Sequence, residues 1–275
     1  PHDQRDVVDI SWDIARRLRG GDRDRVQRFA SPLLDETTPE LEARRSETRA
    51  RALQIVSCLG GEIYEPAIVA FLDDRSSLVS VVAARALCQP SRAKWIDEVL
   101  DRLNRYESWS VALTASMLEN AGMGAAPALR EYLADGRRPA FARAAVARSL
   151  MLLRDAEAAD VAAAQLANSD PELVAACLRL LAVVGSEAHA DAVRPLIGDD
   201  RFFVRAEAMT VLSKLGEPRD AEAILAAIEP DSPWIAIRAT SALAELHATD
   251  ELASLVDDGG LPAEAAIETL YSGVV

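Results

Sequence analysis

A repeat constrains this chain more than any other feature. Hydrophobic residues recur at Val56, Leu87, Leu118, Leu150, Leu181, Leu212 and Leu243, spaced by 31, 31, 32, 31, 31 and 31 residues. A unit of that length holds two short helices, which cannot bury their apolar faces alone and must stack on neighbouring units. Four residues before each of these anchors lie Ala52, Ala83, Thr114, Val146, Cys177, Ala208 and Ala239. A spacing of four keeps both positions on one helical face, and small side chains there let adjacent helices approach closely. Four residues after the anchors stand Gly60, Gly122, Gly185 and Gly216, read as helix ends, with Ser91, Arg154 and His247 in the other units.

The rest of the unit follows the same register. Twelve residues before the anchor comes a polar or turn residue, including Asp200 and Asp231, and nine before it come Trp109, Phe141, Phe203 and Trp234. Large aromatics at periodic positions read as core. A second helix is expected from apolar pairs twelve and sixteen after the anchor: Ile68 with Leu72, Val99 with Leu103, Val193 with Ile197, Ile224 with Ile228. Tyr64 and Trp95 fall on that stripe and read as core too. The single extra residue of the 32-residue interval falls at Asp135-Gly136-Arg137-Arg138-Pro139, a turn that tolerates insertion.

The run Asp200-Arg201-Phe202-Phe203-Val204-Arg205 through Leu215-Gly216 resembles the HEAT repeat, in the short form of the phycobilin lyases. Asp170-Pro171 to Gly185 and Asp231 to Leu246 match it in part. The resemblance covers about residues 39–275. It implies an all-α, right-handed alpha-alpha superhelix of about seven two-helix units. It also implies a contact between the repeat's arginine, here Arg49, Arg143 and Arg205, and an aspartate of the same unit. Domain organisation is therefore read as a helical cap over 1–38 and a solenoid over 39–275. In the cap, residues 5–19 form an amphipathic helix with Val7, Ile10, Ile14 and Leu18 as its buried stripe, ended by Gly20-Gly21. At the other end Pro262 opens a closing helix bearing Ala266, Ile267 and Leu270.

Charge narrows the function classes. The chain has 30 basic and 44 acidic residues, a net charge of −14, and residues 51–275 alone carry 20 against 33, or −13. Such a body repels a phosphate backbone, so no nucleic-acid partner is expected. Arginine outnumbers lysine, which occurs only at Lys94 and Lys214, as in a GC-rich bacterial source. Cys58, Cys88 and Cys177 are odd in number and far apart, which fits a reducing, cytoplasmic setting. No run of eighteen apolar residues occurs. An arginine cluster, Arg16, Arg17, Arg19, Arg23, Arg25 and Arg28, suits an anionic membrane surface, and a membrane tether upstream of Pro1 stays open.

No cofactor, metal ligand set or catalytic constellation is legible. His2, His189 and His247 are scattered, no phosphate loop or nucleophile elbow occurs, and Cys177 sits in a packing slot. One surface pattern stands out: ten residues after the anchor come Asp97, Asp160, Asp191 and Glu222, with Asp101 and Tyr132 one turn on. The resemblance puts the second helices on the concave face, where these acids would form a broken ladder. Acids near helix N-termini also suit an ordinary solvated surface. The expected function is a non-catalytic scaffold or adaptor for a protein partner of basic or mixed charge. The alternatives are the soluble part of a membrane-associated bacterial assembly, or an enzyme of the lyase or DNA glycosylase type on the same fold.

Overall fold

A computed structural model of the chain describes residues 4–228 and 232–271, and among these all regular structure is helical. His2, Asp231 and Val274-Val275 lie outside the described residues. The chain divides into two compact units, residues 1–128 and 129–275.

The first unit opens with α1 (Gln4–Ala15) and α2 (Gly20–Ala30), followed by two 3₁₀ turns over Ser31–Glu36 and Thr38–Glu42. Then come α3 (Ser46–Leu59), α4 (Glu65–Ala70), α5 (Ser77–Leu87), α6 (Ile96–Leu100) and α7 (Val111–Glu119), while α8 (Ala126–Ala134) spans the division. Helix α3 packs on α5 and α5 on α7. The second unit continues with α9 (Ala140–Leu153), α10 (Ala159–Ala164), α11 (Pro171–Val184), α12 (Ala190–Val193) and α13 (Phe202–Leu215). It ends with α14 (Asp220–Ala226), α15 (Pro233–Glu245), α16 (Thr249–Asp258) and α17 (Gly260–Tyr271). There α9 packs on α11, α11 on α13, α13 on α15 and α15 on α17. Within each unit, long first helices stack in chain order with shorter second helices beside them.

The register that the sequence announces is the core. All seven anchors and all seven residues four before them are buried. Ile68, Leu72, Val99, Leu103 and Val193 are fully inaccessible, as the second-helix stripe requires. Asp135 to Pro139 form the turn between α8 and α9. Residues of the first two helices and of the 3₁₀ turn after them share a hydrophobic cluster with α3: Val8, Ala15, Ala30 and Leu34 meet Ile55 and Leu59.

Several local expectations are corrected. The second helices are broken: α12 is four residues long and passes into a 3₁₀ turn over Arg194–Gly198, where Pro195 has no N–H to continue an α-helix. Helix α1 stops at Ala15, and Gly20 opens α2 instead of closing α1. Its buried face is Val8, Ser11 and Ala15, whereas Ile10 is 58% and Ile14 44% exposed. Small residues at 11 and 15 allow close packing that the bulky stripe would prevent. The aromatic slot is not core either: Trp234 is 69% exposed, and Trp109, Phe141 and Phe203 are partly buried. Nine residues are about two and a half helical turns, so this slot points away from the anchor. Tyr64 and Trp95 are only partly buried.

The helix-end glycines also act differently. Gly60, Gly185 and Gly216 have negative φ and Gly122 a positive one (φ 73), while Arg154 (φ 56) and His247 (φ 57) occupy the same slot in the left-handed region without being glycine. What position 185 requires is space. A Cβ there would lie 2.6 Å from the Leu181 carbonyl oxygen and 2.6 Å from Leu215 Cδ1.

Arg205 stays within its own unit, where its Nη1 donates to the Asp199 and Asp200 carbonyls, whereas Arg49 reaches out of it. Arg49 donates from Nε and Nη2 to the Asp74 carboxylate at 2.9 and 2.8 Å, and Asp74 precedes the next long helix. Its Nη1 also donates to the Ala43 and Arg44 carbonyls. Arg143 bonds the Leu133 carbonyl and the Gln165 amide oxygen instead of an aspartate. Asp74 also accepts from Ser76 N at 2.7 Å, as Asp199 does from Arg201 N at 2.9 Å. The bonded turn residue thus lies thirteen before the anchor, one place earlier than read.

Candidate functional site

The acidic positions are placed as follows. Asp97 on α6 and Asp101 just after it belong to the first unit and are exposed. Asp160, Asp191 and Glu222 open α10, α12 and α14 in the second unit and are exposed as well. Asp160 faces His189 Nε2 at 3.1 Å, and Asp191 accepts from Arg194. Arg194 in turn bonds the buried Asp220 at 2.6 Å. Burial alone would raise the Asp220 pKa, but Arg194 and the Glu217 N–H outweigh it and hold it below the usual aspartate value. Two rungs therefore already have partners inside the chain. Tyr132 does not belong to a surface row: it is buried, with the Arg138 guanidinium 4.8 Å from its ring centroid.

Burial pushes both Cys88 and Cys177 up to about 12. Cys58 is also raised by burial, although Arg23 opposes the shift. A thiol held protonated is a packing group. Among the described residues no group of three or more His, Cys, Asp or Glu side chains could hold a metal ion.

The first unit holds a groove that the sequence reading missed, about 540 Å³ in volume. Trp12 of α1, Arg16 just after it and Arg23 of α2 form one side, and Arg85 of α5 with Trp109 the other. Gln54 and Cys58 of α3, with Leu78 and Val82 of α5, complete the wall. A smaller hollow of about 120 Å³ shares Val81, Arg85 and Trp109 and continues the surface over α7, past Leu113 and Asn120. No aspartate or glutamate lines either one.

The local sequence explains the geometry. Leu78 and Trp109 lie nine before their anchors, Val82 and Leu113 five before, and Gln54, Arg85 and Ser116 two before. At 3.6 residues per turn, these offsets all fall on the helix face opposite the core. That outward row was readable once the anchors were known. Leu113 is 60% exposed and Leu78 43% exposed, apolar side chains in a row that needs none for folding. In the second unit one pair of the equivalent row is closed within the chain, Arg179 Nε to Glu207 at 2.8 Å. In the first unit Arg16 stacks 5.4 Å from the Trp12 ring centroid and shares Asp13 with Arg17. Among the described residues Arg85 has no ion pair, and the side-chain contact of Arg23 is Cys58 Sγ at 4.0 Å. A second groove, about 460 Å³, lies between α1 and α2 and is lined by Val7, Ile10, Ile14, Val26 and Phe29, with Arg25 at its edge.

Stacked helix pairs of this kind define an all-α helical-repeat protein of the solenoid class. Residues 161–244 match the family described as HEAT repeats. A similar fold is found in the X-ray structure of YibA from Escherichia coli, at 16% identity and a TM-score of 0.51, covering 92% of this chain and 98% of that one. At that identity the likeness is one of fold. Crystal structures of two engineered proteins align at TM-scores of 0.33 and 0.34, with 19% and 16% identity. They cover 87% and 99% of this chain and 97% and 87% of their own, and agreement that low has no bearing on the fold. No curated protein shows significant sequence similarity to the chain.

Proposed function

We propose that the protein is a non-catalytic scaffold that binds a protein partner on the outward face of its long helices. The observation that carries this reading is the groove of Trp12, Arg16, Arg23, Arg85 and Trp109, which joins two large aromatics, three cations and exposed aliphatic side chains without a single carboxylate. Aromatic and arginine side chains are the usual anchors of protein interfaces. Stacked helical repeats build extended surfaces of this kind from rows of equivalent positions. The free thiols support a reducing, cytoplasmic setting.

The test sets two charge-reversal variants against the natural chain in affinity capture from the source lysate. One carries Arg16, Arg23 and Arg85 changed to Glu; the other carries Asp97, Asp160, Asp191 and Glu222 changed to Lys. The groove variant is expected to lose a saturably bound partner that the ladder variant keeps. The reverse pattern would move the site to the acidic positions, and no saturable partner for either would overturn the scaffold reading.

A second reading, attachment to an anionic membrane surface, is favoured by the apolar groove between α1 and α2. Phe29 there is 63% and Ile10 58% exposed, beside Arg25. No helix among the described residues is long and apolar enough to cross a membrane. Co-sedimentation with vesicles containing phosphatidylserine, lost by Ile10→Asp, is the result this reading requires.

A further inference from the structure

We infer that the Trp12–Trp109 groove takes an acidic peptide segment of the partner, with carboxylates set between apolar side chains. This rests on the scaffold reading and specifies its partner. The first reason is the local sign of charge. The chain carries 44 acidic residues against 30 basic ones, yet the groove walls and the adjoining hollow contain arginines and no acid. The groove is therefore a site of local positive charge on a chain of net negative charge, which favours an anionic group there.

The second reason is the state of those arginines. Arg49, Arg92, Arg102 and Arg194 are held by carboxylates of the chain itself. Among the described residues Arg23 and Arg85 have no carboxylate partner, and Arg85 is exposed on α5. A guanidinium presents a planar fork that fits a carboxylate through two hydrogen bonds. Arg16, already bound to Asp13 and stacked on Trp12, is oriented by its neighbours and contributes less charge.

The third reason is what lies between the cations. Leu78, Val82 and Leu113, with the faces of Trp12 and Trp109, give apolar contacts that a bare anion would not use. A single-stranded nucleic acid could stack on tryptophan, but it needs a continuous cationic track for its phosphates. Here the cations stand at separate points, and the whole chain carries −14.

The test uses the full chain and three fluorescein-labelled probes in fluorescence anisotropy. They are a short peptide alternating glutamate with leucine, the same peptide with lysine for glutamate, and a single-stranded oligothymidylate. The acidic peptide is expected to bind saturably and to weaken by about tenfold or more as salt rises from low to physiological. Arg85→Glu and Arg23→Glu should each weaken it by about tenfold, and Arg85→Gln by less. Reversal of Asp97, Asp160, Asp191 and Glu222 should leave it unchanged or tighter. Arg85 is exposed, so an unchanged circular dichroism spectrum separates loss of binding from loss of fold.

Equal binding of the lysine peptide, tighter binding of the oligothymidylate, or indifference to Arg85→Glu overturns the assignment. If the acidic peptide fails while a captured partner still depends on Arg85, the acidic segment falls and the scaffold stands. If the partner is indifferent to the groove arginines as well, both fall.

Discussion

Replacing Glu65 with glutamine tests how this fold joins its first two repeats. The Glu65 side chain is 3% exposed and accepts from Arg92 Nε at 3.2 Å, Lys94 Nζ at 2.8 Å and Trp95 Nε1 at 2.8 Å. Arg92 is 6% exposed, and its remaining donors reach the Ala86 and Ser57 carbonyls at 2.7 and 2.9 Å. Glutamine keeps the shape and one acceptor but leaves Arg92 buried without a counter-charge. Breaking a buried pair from one side costs about 3–5 kcal/mol. The two carbonyls still solvate Arg92, and Lys94 is 56% exposed and adds about 0–1 kcal/mol. The expected loss is therefore at the low end, about 3 kcal/mol. With a urea dependence of about 2 kcal/mol per molar, the midpoint falls by about 1.5 M. Tryptophan fluorescence reports it, because Trp12, Trp95 and Trp109 all lie in the first unit.

Arg92→Met combined with Glu65→Gln should recover part of the loss, since neither charge is then stranded. A Glu65→Gln loss below about 1 kcal/mol, or strict additivity in the double variant, would refute the account. The pH dependence has a fixed sign. Burial raises the Glu65 pKa, but Lys94, Trp95 and Arg92 outweigh it and leave it below the usual glutamate value. A group depressed on folding stabilises above its unfolded pKa, so its contribution fades as pH falls through the folded one. The gap between the natural chain and Glu65→Gln should therefore close in acid.

Further outcomes follow from the same geometry. Leu181→Ala empties a fully buried anchor and should cost about 3–4 kcal/mol in urea unfolding, with a loss under about 1 kcal/mol refuting its core role. Arg154→Gly relieves a left-handed residue and should raise stability by about 0.5–1 kcal/mol, whereas Gly185→Ala drives a methyl into Leu215 and should lower it by about 1–3 kcal/mol. An aromatic disulfide reagent at mildly alkaline pH should modify Cys58 ahead of Cys88 and Cys177 in the folded protein; mass spectrometry showing either buried thiol modified first would contradict their packing.

Much of the fold was legible because the core repeats and the surface does not. Leu212 and Ala208 are informative only through their equivalents in six other units, each constrained by the same stacking. The same regularity misled where a period was taken for burial. Trp109 and Trp234 recur in step with the anchors, but periodicity says only that a position is equivalent from unit to unit. The angle from the anchor says which way it points, and nine residues place it on the far side of the helix. Helix α1 failed for a different reason: Val7-Ile10-Ile14 and Val8-Ser11-Ala15 are two interleaved rows on one short helix. Hydrophobicity favours the first, and closeness to α3 selects the second.

The groove was hidden because charge was summed along the chain, while recognition depends on where charges meet in space. The −13 over residues 51–275 argues for a basic partner if each acid is counted as available. Asp74, Asp155 and Asp220 are not available, since each is paired with an arginine of the preceding repeat, with Asp155 and Asp220 buried. Those pairs remove equal numbers of both signs from solvent and leave the net charge unchanged, so the average gives no warning. Arg16 and Arg23 come from the nearly neutral first fifty residues and Arg85 from the acidic remainder. Only the packing of α1 and α2 beside α3 and α5 brings the three to one wall without a carboxylate between them. A partner chosen by that wall has the sign opposite to the one that the chain average selects.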